Sequence, residues 1–180
     1  TIHPYLLYAV VLLLACTTSG GSILGTGAFT KRAVSANLLR SEDCNVVADF
    51  AFQMLTWLSL LWSMLHDAIG PRGCAIAGLT LTSCGHIILG MASTHNVHSP
   101  YVYAVGLGLV GGGGNGAYVS SFQFTTLRAF QKRRGVLTSV LATAFNVAAY
   151  PFLLLNAPQL ALGSFFFGYA VFVAGAALVA

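Results

Sequence analysis

Two long apolar runs are separated by only eight residues, His66-Asp67-Ala68-Ile69-Gly70-Pro71-Arg72-Gly73, and no other feature constrains the chain so tightly. One acid, two bases, two glycines and a proline make a short polar knot. Such a knot lets a chain leave a bilayer and re-enter at once, because glycine and proline reverse the backbone and the charges stay in water. The same arrangement recurs. Marking the chain at its polar breaks gives six apolar segments: about Tyr5 to Ala28, Val46 to Leu65, Cys74 to Ser93, Tyr101 to Phe124, Gly135 to Leu155, and Leu160 to the last residue. A polar loop from Lys31 to Asn45 is expected between the first two. Each segment approaches the length needed to cross a hydrocarbon core of about 30 Å as a helix.

Composition excludes the main alternative, a water-soluble core. Charged residues make up 7% of the chain, hydrophobic residues 57%, and the mean hydropathy is +0.81. Soluble domains carry about 25% charged residues. The net charge of +4 comes from a few loop residues, which argues against a nucleic-acid surface and for loop orientation in a membrane. Joining the second segment to the third, and the fourth to the fifth, on one side groups Arg72, Arg128, Lys132, Arg133 and Arg134 there. The other side holds Lys31, Arg32 and Arg40, a split of five against three. The positive-inside rule makes the Asp67 side cytoplasmic, with both chain ends on it.

Glycines at four-residue spacing (Gly108, Gly112 and Gly116; Gly21 and Gly25) allow close helix packing in lipid. The first and fourth segments carry the densest glycine and polar content, as expected if two three-helix repeats of opposite topology build the domain. The run Gly106-Leu107-Gly108-Leu109-Val110-Gly111 fits a dinucleotide fingerprint but lies inside an apolar segment with no strand before it. The phosphate-binding turn therefore has no place to form.

No catalytic or metal constellation is present. Cys16, Cys44, Cys74 and Cys84 form no Cys-x-x-Cys pair, and His95 and His98 lack a third ligand. His86 is the ionisable group deepest in an apolar segment. Such a group is either functional or a neutral histidine hydrogen-bonded between helices. No catalytic residue, metal or cofactor is expected.

Asp67-Ala68-Ile69-Gly70-Pro71-Arg72 resembles the loop between the second and third helices of major facilitator superfamily transporters. The stretch Gly106 to Pro151, with Phe130-Gln131-Lys132-Arg133-Arg134-Gly135 and Ala148-Ala149-Tyr150-Pro151, is similar to the branch of large-neutral-amino-acid facilitators and apicomplexan amino acid transporters. The chain departs from the pattern at Ser63 (usually glycine) and Gly73 (usually basic), and its fourth segment lacks the arginine of many proton-coupled members. The resemblance implies an all-α, polytopic fold of six transmembrane helices as two inverted three-helix repeats. Residues 1–180 would form the N-terminal half of a transporter whose C-terminal half is absent from this sequence.

The implied function is transport of a small organic solute, amino acids included, by alternating access as a facilitator or exchanger. Ser19, Ser22, Thr26, Asn115 and Tyr118 are the expected solute contacts, since hydroxyls and an amide bond a solute without an unpaired membrane charge. Asp67, Gly70 and Arg72 are the expected gating residues. The partners are the lipid bilayer, the solute, and the C-terminal half or neighbouring membrane subunits; no nucleic acid is expected. The alternative is a transporter-derived structural or accessory subunit of a larger membrane complex.

Overall fold

The computed structural model describes residues 4–18, 20–126, 128–157 and 159–180. All regular structure among them is helical. In chain order the elements are α1 (Pro4–Thr18), a 3₁₀ segment (Gly20–Gly25), α2 (Thr26–Ser35), α3 (Asp43–Thr94), α4 (Pro100–Gln123), α5 (Arg134–Val147) and α6 (Leu162–Val179). Two short 3₁₀ turns cover Phe124–Thr126 and Arg128–Arg133, and another, Tyr150–Asn156, continues from α5. The loop expected from Lys31 is shorter than its polarity suggested. α2 runs through Lys31 and Arg32 to Ser35 before the chain turns, because cations are welcome at a helix C-terminus.

α3 contains 52 residues, roughly 78 Å at about 1.5 Å per residue, and it is not one rod. Gly70 has φ 76° and ψ 171°, a conformation essentially restricted to glycine. Pro71 follows, where its missing N–H suits the first turn of a new helix. The chain reverses here: the Cys74 thiol lies 3.7 Å from the Trp62 carbonyl oxygen, to which it donates. In a straight helix twelve residues would separate those groups by about 18 Å. α3 is therefore a hairpin with a first limb (residues 43–69) and a second limb (residues 71–94).

Contact registers show that the rods alternate in direction. Phe50, Leu58 and Trp62 of the first limb meet Gly108, Gly112 and Gly116 of α4, rising together, so the two are parallel. Gly78 and Gly85 of the second limb meet Gly113 and Gly106, an antiparallel pairing. Ile23 against Gly111 and Phe29 against Tyr103 set the α1–α2 rod antiparallel to α4. Thr94 against Gly163, and Ser83 bonded to Ala170, set α6 antiparallel to the second limb. α1 touches α5 while α2 touches the 3₁₀ segment after α5, so those two rods are parallel.

Two glycine rows on α4 do different work. Gly108, Gly112 and Gly116 receive Phe50, Met54, Leu58 and Trp62 side chains from the first limb. At Gly106 and Gly113 backbone comes close: a Cβ on Gly113 would stand 2.6 Å from the Gly78 carbonyl oxygen, and one on Gly85 2.7 Å from the Gly106 carbonyl oxygen. Small residues permit such approach where packing drives association. The main core joins Phe29, Val47, Leu89, Tyr103, Phe152 and Phe166, drawn from every rod.

Three helices are long and apolar enough to cross a membrane: Asp43–Thr94, Gln131–Asn156 and Leu162–Val179. The pair Val10–Thr18 and Ile23–Ser35, bent by 43°, makes a fourth if counted as one broken span. α4 falls short on apolarity, since glycines, serines and Asn115 dilute it. It is also the helix most enclosed by protein, buried at nearly every position from Tyr103 to Ala117, so its surroundings do not demand lipophilic side chains. Elsewhere large apolar side chains point outward, including Trp57, Leu60, Leu61 and Met64 on the first limb and Val171 and Leu178 on α6.

Candidate functional site

Two rods are discontinuous at matching places. α1 ends at Thr18, the tighter 3₁₀ segment Gly20–Gly25 follows, and α2 resumes at Thr26. α5 ends at Val147, and the chain enters the 3₁₀ turn Tyr150–Asn156. Pro151 lacks the N–H an α-helix would use and clashes with the preceding turn, which accounts for the second break. The breaks touch: a Cβ on Gly25 would lie 2.6 Å from the Phe152 Cβ and 3.2 Å from the Ala149 carbonyl oxygen. Ile23, at the first break, seats against Gly111 of α4. Non-α backbone at membrane depth is tolerated only where protein or a water-lined cavity surrounds it.

The expected solute contacts among the described residues, Thr26, Asn115 and Tyr118, do not converge on one point. Ser19 lies outside the described residues, as does the side chain of Ser22. Thr26 is buried at the start of α2. The registers at Ile23 and Phe29 place it level with Leu107, roughly 12 Å along α4 from Asn115. The Asn115 amide donates to the Leu55 carbonyl, at 3.3 Å, and to the Ser59 hydroxyl, both on the first limb. Tyr118 turns toward α5, its ring 4.9 Å from Phe145 and 4.8 Å from Phe122. Asn115 thus ties two helices together, and Tyr118 belongs to an aromatic contact.

Further polar ties were invisible in the sequence. The Trp62 indole donates to the Gly112 carbonyl. The Ser83 hydroxyl donates to the Ala170 carbonyl at 3.0 Å, and the Tyr169 phenol to the Thr17 carbonyl at 2.9 Å. Each joins different rods, and a pairing of that kind depends on helix rotation, which composition does not reveal. His86 is fully buried, and its Nδ1 lies 2.8 Å from the Thr82 carbonyl one turn back, so Nδ1 carries the proton. Its ring lies 4.7 Å from that of Tyr169 at a tilt of 38°, while Nε2 has no hydrogen-bond partner among the described residues. The partner of His86 is therefore its own helix rather than a neighbouring one.

At the hairpin end, Asp67 and Arg72 are both exposed. Asp67 Oδ1 lies 3.8 Å from His66 Nδ1, and no Asp67–Arg72 ion pair forms among the described residues. Gly70 is the residue of this set with a demonstrable mechanical task, the reversal itself. Near the opposite end, Arg40 meets Glu42 at 3.5 Å in a solvent-exposed pair, and exposed pairs contribute about 0–1 kcal/mol. No group of three or more His, Cys, Asp or Glu able to hold a metal occurs among the described residues. Comparison with known proteins finds no matching family model, curated protein or solved structure.

Proposed function

We propose that the chain is a multi-pass integral membrane protein that carries a small organic solute by alternating access. In this reading it is the N-terminal half of a major facilitator fold. The observation that carries the proposal is the pair of touching helix breaks at Gly20–Gly25 and Tyr150–Asn156, set beside the glycine face of α4. Carriers hold solutes near the bilayer midplane where discontinuous helices present free backbone groups.

The contact network supports the repeat. Exchanging the α1–α2 rod with α4, the first limb with α5, and the second limb with α6 turns each principal contact into another observed one. First limb against α4 becomes α5 against α1, and second limb against α4 becomes α6 against α1. The contacts of α1 with α4, and of the second limb with α6, map onto themselves. Exchanged rods run in opposite directions, as an inverted repeat requires. This reading has six crossings: the bent pair, the two limbs of α3, the enclosed α4, the helix Gln131–Asn156 and α6. Amino acids are the solute class that the resemblance suggests.

Asn115 favours the second reading, a structural subunit, because its amide is engaged between helices. Transport by proteoliposomes containing the full-length protein decides between them. Saturable, counterflow-competent uptake of a neutral amino acid, lost in Asn115→Ala at unchanged amounts of folded protein, supports the carrier. No uptake of any tested solute, together with stable incorporation into a larger assembly, supports the subunit.

A further inference from the structure

We propose that the groove between α1 and α5 is a binding site for one anionic phospholipid, its headgroup on the basic start of α5 and an acyl chain along the groove. The proposal rests on the membrane reading above but not on transport.

The two halves of the site are independent observations. Lys132, Arg133 and Arg134 are consecutive and exposed, and the first turn of α5 contains no acid to neutralise them. Asp67 is the only acid on their side of the bundle. Directly after these cations an apolar groove of about 730 Å³ begins, lined by Leu12, Gly135, Val136, Val140, Ala144 and Val147. Its polar-looking members are internally satisfied: the Ser139 hydroxyl donates to the Gly135 carbonyl at 3.1 Å, and that of Thr143 to the Ser139 carbonyl at 2.9 Å. Apart from the Cys16 thiol, the wall offered to an occupant is therefore hydrocarbon.

Length and level also fit. From Gly135 to Val147 the groove runs about 18 Å along the helix, close to one leaflet of a core about 30 Å thick. Val136 is 65% exposed, two residues beyond Arg134, so the cations stand where apolar surface gives way to water. A phosphate at that level meets three cations, while its acyl chain follows the valines inward. A soluble anion would use only the first half of the site, and a wholly apolar ligand only the second.

The test is lipid retention by the purified full-length protein from nanodiscs of phosphatidylcholine with one-fifth phosphatidylglycerol, read by native mass spectrometry. The retained ratio of phosphatidylglycerol to phosphatidylcholine should be about ten times the bulk ratio, as expected if half of the three cations act at the usual strength of a cation near an anionic leaflet. K132Q/R133Q/R134Q should abolish the headgroup preference, whereas K31Q/R40Q at the opposite end should leave it intact. S139W, which fills the groove from an exposed position, should reduce retention of both lipids. Unchanged preference in the triple variant overturns the proposal. So does displacement of the lipid by millimolar glycerol phosphate, which would assign the patch to free phosphate. Extraction of the protein from membranes by alkaline carbonate would instead overturn the membrane reading beneath it. Far-ultraviolet helicity of each variant, matched to the parent, confirms that a loss is local.

Discussion

Gly78 and Gly168 are both glycines inside apolar helices, yet replacing each with alanine should move stability in opposite directions. At Gly78 a Cβ would stand 2.6 Å from the Gly113 carbonyl oxygen and 2.9 Å from the Ala117 amide nitrogen. Both are backbone atoms, so relief requires the second limb and α4 to separate. Overpacking of this kind costs about 1–3 kcal/mol, against which alanine regains about 1 kcal/mol of helix propensity. The separation would also disturb the bond from Trp62 to Gly112, since the first limb packs on the same α4 helix. At Gly168 nothing lies within 4 Å of the added Cβ, and only the propensity gain of up to about 1 kcal/mol remains. The propensity gain is common to both, so the two variants should differ by the overpacking cost of about 1–3 kcal/mol, roughly 5- to 150-fold in the unfolding equilibrium. Titration of the purified protein in mixed micelles with a denaturing detergent, followed by circular dichroism and tryptophan fluorescence, measures that difference. A Gly78→Ala protein as stable as Gly168→Ala would refute the backbone contact, and with it the antiparallel register of the second limb and α4.

Other consequences concern the hairpin and the loops. Gly70→Ala should destabilise the protein by about 1–3 kcal/mol despite open space around the site, because the cost lies in the backbone conformation; unchanged detergent stability would mean that the chain turns elsewhere. Asp67→Asn in the full-length protein should change turnover and leave solute affinity nearly unaltered, as expected of a conformational latch; identical uptake rates would remove Asp67 from gating. Burial, with Asp43 adding to it, pushes the Cys44 thiol above its ordinary range. Its thiolate is therefore scarce at neutral pH and grows with alkalinity, so maleimide labelling of Cys44 should accelerate about tenfold per pH unit from pH 7 to 8. A rate independent of pH would contradict that environment.

Much of the helical layout was legible because lipid-length apolar runs and polar breaks are properties of composition. Gly70-Pro71 showed the reversal because so few residue pairs permit one. The breaks within the first and fifth segments were harder to see: a 3₁₀ segment uses the same apolar residues as an α-helix, and the apolar run continues through Pro151 to Leu155. α2 continued past Lys31 and Arg32 because charge alone does not end a helix. The glycine row at Gly108, Gly112 and Gly116 was visible, but its role was not. It receives side chains, while Gly106 and Gly113 make the backbone approach. Spacing on one helix cannot say which neighbour faces it. For the same reason Asn115 could be named as a polar group in α4, but not as the partner of Ser59.

The central claim is that the rods cross a membrane in alternate directions, which places Ser41 and Gln131 on opposite faces. Single cysteines at these two exposed positions, in a protein with Cys16, Cys44, Cys74 and Cys84 replaced by serine, can be labelled in sealed, oriented vesicles with a membrane-impermeant maleimide. The reagent should reach Gln131→Cys from the cytoplasmic face only and Ser41→Cys from the opposite face only. Labelling of both from the same face would contradict the alternating bundle and every functional reading built on it.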